Sequence, residues 1–417
     1  MGHKIIKITG TLLLLCILFP LPSKGAIKGE ILTLKEAQAL ALENSPALRL
    51  LELEYEEKGY TASVASKALE EARREIRDIN YALRVLARQE RDIWRELGDQ
   101  DLDPAYLAIY RQELRLIEQH AGGLEEAMDK IVESRSDLHY QYELEKAARD
   151  EVRHRLEDKH LLLAREVETK YYTILELDKA HDSLQKSLDY LLKQQDSENK
   201  RVSLGLSTPL SLQRLGAQVE NTAYLWHTSS TLCRLARQDF NNLLGRSLDS
   251  PLFLEEKIVP RGELPAHPGH GTAFLEQCKG LKGLRAYIET EKNRATDLKD
   301  RYSVGTPEYL ATAKRLEKLQ LELEEAKQAL LLGISNAYHQ VRDAQANLRA
   351  REAENKLAQR ELYLGQKKKD LGLMGNLDLL KLQNQARQAE VNLLKATAAY
   401  NLSVTDYELA REGIIVD

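Results

Sequence analysis

Between Leu124 and Leu204 the chain runs for 81 residues without a glycine or a proline. A continuous helix of that length is a rod of ~120 Å at 1.5 Å per residue. Such a rod cannot fold back to bury its own apolar stripe, so it draws its stability from other helices packed along it. The composition agrees, with 30% charged residues, 6% aromatics, 10 Pro and 22 Gly in a chain dense in Leu, Ala, Glu, Lys, Arg and Gln. This is the bias of long helices and coiled coils, and it argues against a sheet sandwich, a collagen-like chain or a disordered tail. A mean hydropathy of -0.47, with one uninterrupted apolar stretch at the very start, excludes a polytopic helical membrane protein. The net charge of -5 excludes a nucleic-acid partner, because an acidic surface repels phosphate.

The first segment reads as an export signal. Lys4 and Lys7 precede an apolar run from Ile8 to Phe19, followed by Pro20, Pro22 and the small residues Ser23 and Gly25; this is the three-part pattern of a secretory leader cut after residue 25. Its apolar core is about 12 residues, where a membrane span needs ~20. Leu15 stands where a small residue precedes a lipidated cysteine, so Cys16 is not a lipid anchor. Cys233 and Cys278 then remain, too few for a disulfide scaffold, and spacing does not decide whether they pair.

Beyond the leader the punctuation is helical. Thr33 and Glu36 form a capping box that opens a short helix. It should end near Asn44, where Ser45-Pro46 supplies a cap and a first-turn proline for a longer helix. Leu69, Ala72, Ile76, Ile79, Leu83, Leu86, Ile93 and Leu97 follow heptad spacing, broken only by Glu90. A turn is expected from Gly98 to Pro104, then a seam of Leu107, Tyr110, Leu114, Ile117 and Ala121, and another interruption at Gly122-Gly123.

A shift of 167 positions superposes Tyr171 on Tyr338, Leu204-Gly205-Leu206 on Leu371-Gly372-Leu373, Leu210 on Leu377, Leu215 on Leu382 and Gln218 on Gln385. An offset that never changes means one supersecondary unit used twice. Each copy ends a helix at Leu-Gly-Leu, where Gly can turn left-handed, and restarts at a cap: Thr208-Pro209 in the first, Asn376 in the second. The seams that follow place Trp226, Cys233 and Phe240, and Tyr400 and Tyr407, at core positions. Pro251, Pro260, Pro265 and Pro268 forbid a long helix between the copies. The expected organisation is therefore a signal peptide (1–25), a first helical repeat (26–247), a Pro-rich connector (248–271) and a second repeat (272–417). The fold class is all-α, built of long antiparallel coiled-coil hairpins.

An exported chain that opens Leu32-Thr-Leu-Lys-Glu-Ala37, continues Ala41-Leu-Glu-Asn-Ser-Pro-Ala-Leu48 and turns two helical hairpins at Leu-Gly-Leu resembles the TolC-like outer-membrane efflux family. Tyr171-Tyr172, Asn241-Asn-Leu-Leu-Gly245 and Leu248-Asp-Ser-Pro-Leu252 add to the likeness. The resemblance implies a homotrimer whose helices line a hollow periplasmic barrel, located in the cell envelope. It also implies an adaptor (membrane fusion) protein and an inner-membrane pump as partners. The adaptor-binding tips it implies are Val202, Leu204, Gly205, Leu206 and Ser207 in one copy, and Leu371, Gly372, Leu373 and Met374 in the other.

The chain departs from that family where its members carry membrane-spanning strand hairpins. Such strands need about 9–11 residues of alternating polarity. Residues 67 to 165 hold heptads instead, and in the second half Tyr302-Ser-Val-Gly-Thr-Pro307 is the whole connection. The expectation is thus a helical conduit component without clear barrel strands. A soluble coiled-coil envelope protein that has lost the pore is the alternative.

No enzyme motif is present: no His-Glu-x-x-His, phosphate loop, dinucleotide fingerprint or nucleophile elbow. No cofactor or catalytic residue is expected. Glu151/His154 and Glu157/His160 have di-iron spacing but share one helix, whereas that site draws on several, so a solvated charged face is expected. His267, His270 and Cys278 lack a fourth ligand at a zinc-like spacing.

Overall fold

The computed structural model describes residues 31–98, 104–265, 275, 278–302 and 304–416. The leader, His267, His270 and Pro268 lie outside them. Among the described residues there are seven α-helices: α1 (Leu34–Asn44), α2 (Pro46–Leu97), α3 (Pro104–Ser203), α4 (Pro209–Leu243), α5 (Lys282–Arg301), α6 (Pro307–Asp370) and α7 (Asn376–Glu412). Strand structure among those residues is limited to one parallel bridge between Leu32 and Leu254.

The helix starts follow the local chemistry. Thr33 and Glu36 close the capping box of α1, with the Thr33 N–H donating to the carboxylate at 2.8 Å. Ser45 caps α2 ahead of Pro46, and Thr208 caps α4 ahead of Pro209. Two expectations need correction. Gly122-Gly123 does not interrupt α3, which runs 100 residues through both glycines. Each glycine costs about 1 kcal/mol relative to alanine, but a helix already nucleated on both sides propagates across them, and the flanking Ala121 and Leu124 are half-buried. Asn376 is the first residue of α7 rather than its cap. Gly375 takes the extended cap conformation, and Asp378 supplies negative charge to the first turn.

The helices form a ribbon four columns wide. α2 and α4 lie end to end along α3; α5 and α7 lie end to end between α3 and α6. The first junction is tight: the Asn44 amide donates to the Leu244 carbonyl at 3.0 Å, and Gly245 has φ +68° with the Asn44 side chain where a Cβ would stand. At the second junction Gly413 turns left-handed against Cys278 and Gly280. Both cysteines are free and buried. The outer columns, α2/α4 and α6, make no substantial contact with each other.

Two apolar clusters sit at the waist where these junctions meet. One gathers Ala37 and Ala41 of α1, Val167, Tyr171 and Ile174 of α3, and Phe240 and Leu244 of α4. The other gathers Cys278, Leu281, Ile334, Val341, Tyr400, Val404 and Tyr407. Phe240, Tyr400 and Tyr407 are buried as the seams predict, whereas Trp226 is half-buried and stacks on His181 with ring centres 5.5 Å apart. A polar network ties the connector to both sides of the waist. The Tyr171 hydroxyl donates to the Leu32 and Glu255 carbonyls, both at 3.0 Å, and burial pushes its pKa up to about 12. Asn401 accepts from the Arg261 N–H at 2.8 Å and donates to the Val259 carbonyl at 3.0 Å and the Tyr172 hydroxyl at 3.2 Å. Buried Glu168 receives the Arg261 guanidinium through both carboxylate oxygens at 3.0 and 3.1 Å.

Candidate functional site

The two Leu-Gly-Leu turns have the same backbone geometry. Gly205 has φ +71° and Gly372 φ +74°. In the first turn the Gly205 N–H donates to the Val202 carbonyl and the Leu206 N–H to the Arg201 carbonyl. In the second, Gly372 donates to Lys369 and Leu373 to Lys368. Each pair of bonds is the Schellman closure of a helix, which needs a residue at positive φ. Both turns lie at one end of the ribbon, because α3 and α7 run antiparallel in a register fixed by Arg165–Asp406 at 2.8 Å and Tyr172–Asn401 at 3.2 Å.

Leu204, Leu206, Leu371 and Leu373 are 67–74% exposed. Gly205 and Gly372 are exposed as well, while Val202, Ser207 and Met374 are half-buried. The nine residues singled out from the sequence thus gather at one end of the ribbon, with four exposed leucines on two hydrogen-bonded turns.

The turns differ in how they are braced, which the repeat did not show. Glu198 of α3 accepts from the hydroxyls of Ser207 and Ser211, the latter at 2.5 Å. These two bonds hold its carboxyl below the usual carboxylate range. The second turn is braced by packing. A Cβ on Gly365 would stand 2.3 Å from Leu382 and 3.4 Å from Met374, so α6 and α7 approach closely just before the turn. Lys367, Lys368 and Lys369 crowd the last turn of α6, where cations complement the helix dipole.

A second feature, also missed by the sequence reading, is where the remaining exposed apolar side chains lie. Leu50, Leu53, Tyr60 and Val64 of α2, Tyr224, Leu225, Leu232 and Leu235 of α4, and Leu321, Leu332, Leu357, Tyr363 and Leu364 of α6 are all exposed. The outer columns carry most of the exposed apolar side chains; of the two inner columns, α5/α7 carries none among the described residues, while α3 exposes Tyr106, Ile109, Leu116, Leu161 and Leu192. A patterned search for off-seam leucines would have found these stripes, but only the fold shows that they mark the two edges.

The histidine pairs lie on consecutive turns of α3, with His154 Nδ1 3.9 Å from the Glu157 carboxylate. Glu151 accepts from the Tyr287 hydroxyl at 2.9 Å, and His160 Nδ1 lies 2.9 Å from the Leu156 carbonyl. Among the described residues no group of three or more His, Cys, Asp or Glu is placed to hold a metal ion, and no helix is long and apolar enough to cross a membrane.

No family model and no curated protein matches the sequence. Solved structures do match in fold. A membrane protein from Pseudomonas aeruginosa, 12% identical, aligns over 91% of this chain and 93% of its own, with a TM-score of 0.55. The open state of the Neisseria gonorrhoeae MtrE outer membrane channel, 15% identical, covers 91% and 89% at 0.54. The Campylobacter jejuni CmeC outer membrane channel, 12% identical, covers 66% and 68% at 0.53. The fold is TolC-like. Within it, the described residues supply the helical columns and hairpin turns of the TolC-like protomer, without strands where the family pattern would place a barrel.

Proposed function

We propose that the chain is one subunit of an exported TolC-like conduit of the cell envelope, which docks an adaptor protein through its two Leu-Gly-Leu turns. In this reading it works with an inner-membrane pump to support export of small molecules or proteins. The observation that carries it is the pairing of apolar outer columns with four exposed leucines on matched turns at one end. A ribbon whose two edges are apolar and unpartnered is completed when the α2/α4 edge of one copy meets the α6 edge of the next. Repeated around an axis, that heterologous contact closes a ring, three-membered by family resemblance. The ring presents every Leu-Gly-Leu turn on one rim. The two halves, 26–247 and 272–417, then each supply two of the four columns of one copy and are joined by the 248–271 connector. No catalytic step or cofactor enters this function.

Photo-crosslinking residues placed at Leu204 and Leu373 in cells test the docking. Capture at both positions of an envelope-anchored protein with a helical hairpin supports it, and no capture at either position under conditions of export contradicts it. The absence of strands among the described residues favours a second reading, a soluble envelope rod that kept the fold and lost the pore. In that case a carbonate wash releases the mature protein from membranes.

A further inference from the structure

Past the level at which α5 turns into α6, the described residues continue as two helices alone. Arg301 donates to the Glu133 carbonyl at 3.4 Å, and the Tyr302 hydroxyl to the Glu133 carboxylate at 2.5 Å, which braces α3 where α5 ends. Beyond it, α2 from Arg73 to Leu97 and α3 from Pro104 to Val132 form an arm ~36 Å long at 1.5 Å per residue. It stands where the first strand hairpin of the family would be.

The arm is underpacked for a free element. On α2 the last buried residues are Leu69 and Ala72, and on α3 the first is Ala147; no described residue between Ala72 and Ala147 is buried. The heptad seam Ile76, Ile79, Leu83 and Leu86 is only half-covered by α3. Off the seam, Tyr81 and Trp94 of α2 and Tyr106, Ile109 and Leu116 of α3 are exposed. Ile109 and Leu116 are seven residues apart, so they form one stripe on the outer side of α3.

Charge adds a direction. Residues 73–97 carry seven arginines against five acids, and residues 104–132 carry three basic residues against five acids. The ion pairs on the arm, Arg74–Glu70, Arg95–Asp92 and Lys130–Glu126, each stay within one helix. Among the described residues no ion pair therefore joins the two helices of the arm, although the Glu96 carboxylate of α2 faces the Tyr110 hydroxyl of α3.

We propose that the arms of neighbouring copies close on one another, α2 of one copy against α3 of the next, into a narrower helical bundle that continues the tube. The inference rests on the ring described above, since only a ring sets the α2 edge of one copy beside the α3 arm of another. It assigns the place of the missing strands to a helical element built from this same chain. The wall has four helical columns per copy at the waist and two at the arm, so at 8–10 Å between axes its circumference falls by about half.

Pulsed dipolar spectroscopy on spin-labelled full-length mature protein tests this, in a Cys233→Ala, Cys278→Ala background. One label replaces exposed Gln112 on the arm, and a second, in a separate sample, replaces exposed Arg214 on α4. The expected result is a narrow inter-copy distance at Gln112, roughly half to two-thirds of that at Arg214. Ile109→Glu with Leu116→Glu should broaden the Gln112 distribution and leave the Arg214 distance unchanged. A defined distance at Arg214 with a broad or longer one at Gln112 overturns the arm bundle and leaves the ring standing. No inter-copy signal at either position overturns the ring, and the arm bundle with it.

Discussion

Replacing both Gly122 and Gly123 with alanine should stabilise the arm. Both positions lie inside α3, and an added Cβ at either meets nothing within 4 Å. The substitution therefore introduces no overpacking, and only the backbone contribution remains. Glycine in a helix interior is less favourable than alanine by roughly 0.5–1 kcal/mol, because it loses more conformational freedom on folding. Two such changes on the same helix give about 1–2 kcal/mol, or a 5- to 30-fold shift in the local opening equilibrium with RT near 0.59 kcal/mol. Global unfolding of the whole chain would dilute this effect. Native-state amide exchange read residue by residue across 107–132 would not. We expect exchange of those amides to slow by that factor, while amides of the waist such as Val167 and Val341 keep their rates. Unchanged or faster exchange in the arm would show that α3 is broken at the glycine pair in solution, and would refute the reasoning that neighbouring turns carry the helix across it.

Four further outcomes are expected. Gly205→Ala and Gly372→Ala should each cost about 1–2 kcal/mol in denaturant unfolding, since both sites are sterically open and the penalty is the left-handed backbone alone. Asn401→Ala, which strands the Arg261 N–H, the Val259 carbonyl and the Tyr172 hydroxyl, should lower stability by about 2–4 kcal/mol in the same assay. At the first turn, the carboxyl pKa of Glu198 is held down by the Ser207 and Ser211 hydroxyls. The bracing is then present above the ordinary carboxylate pKa and lost as pH falls through the lowered folded value. Protection factors at 204–211, which are exchange rates corrected for the intrinsic pH dependence of the amide, should fall on acidification, and Glu198→Gln should remove that change. Leu225→Asp with Leu232→Asp places two charges on the α4 stripe and should shift the mass in light scattering from oligomer to monomer, without loss of helical circular dichroism.

Much of this architecture was legible in the residues because it is locally encoded. The Thr33/Glu36 box, Ser45-Pro46, Thr208-Pro209 and the Leu-Gly-Leu turns each satisfy helix-end groups within a few positions, so sequence alone places them. The lack of strands among the described residues between 67 and 165 was legible for the same reason, since heptads exclude alternation. What escaped depends on contacts distant in sequence. The glycine pair in α3 reads as a break until helix on both sides carries the structure across it. Asn376 reads as a cap until the turn geometry shows Gly375 in the extended position. The end-to-end meeting of α4 with α2 at Gly245 and Asn44, about 200 positions apart, has no local signal at all. Without it the exposed leucines of α2, α4 and α6 look like scattered surface residues rather than two edges of one ribbon.

The measurement that bears most directly on the central claim is the end-on image of the purified mature protein by single-particle electron microscopy. The account predicts a closed ring with four helical columns per copy, and a rim formed by residues 204–206 and 371–373. A strictly monomeric, cooperatively folded particle would contradict it, because the apolar outer columns would then have no partner to explain them.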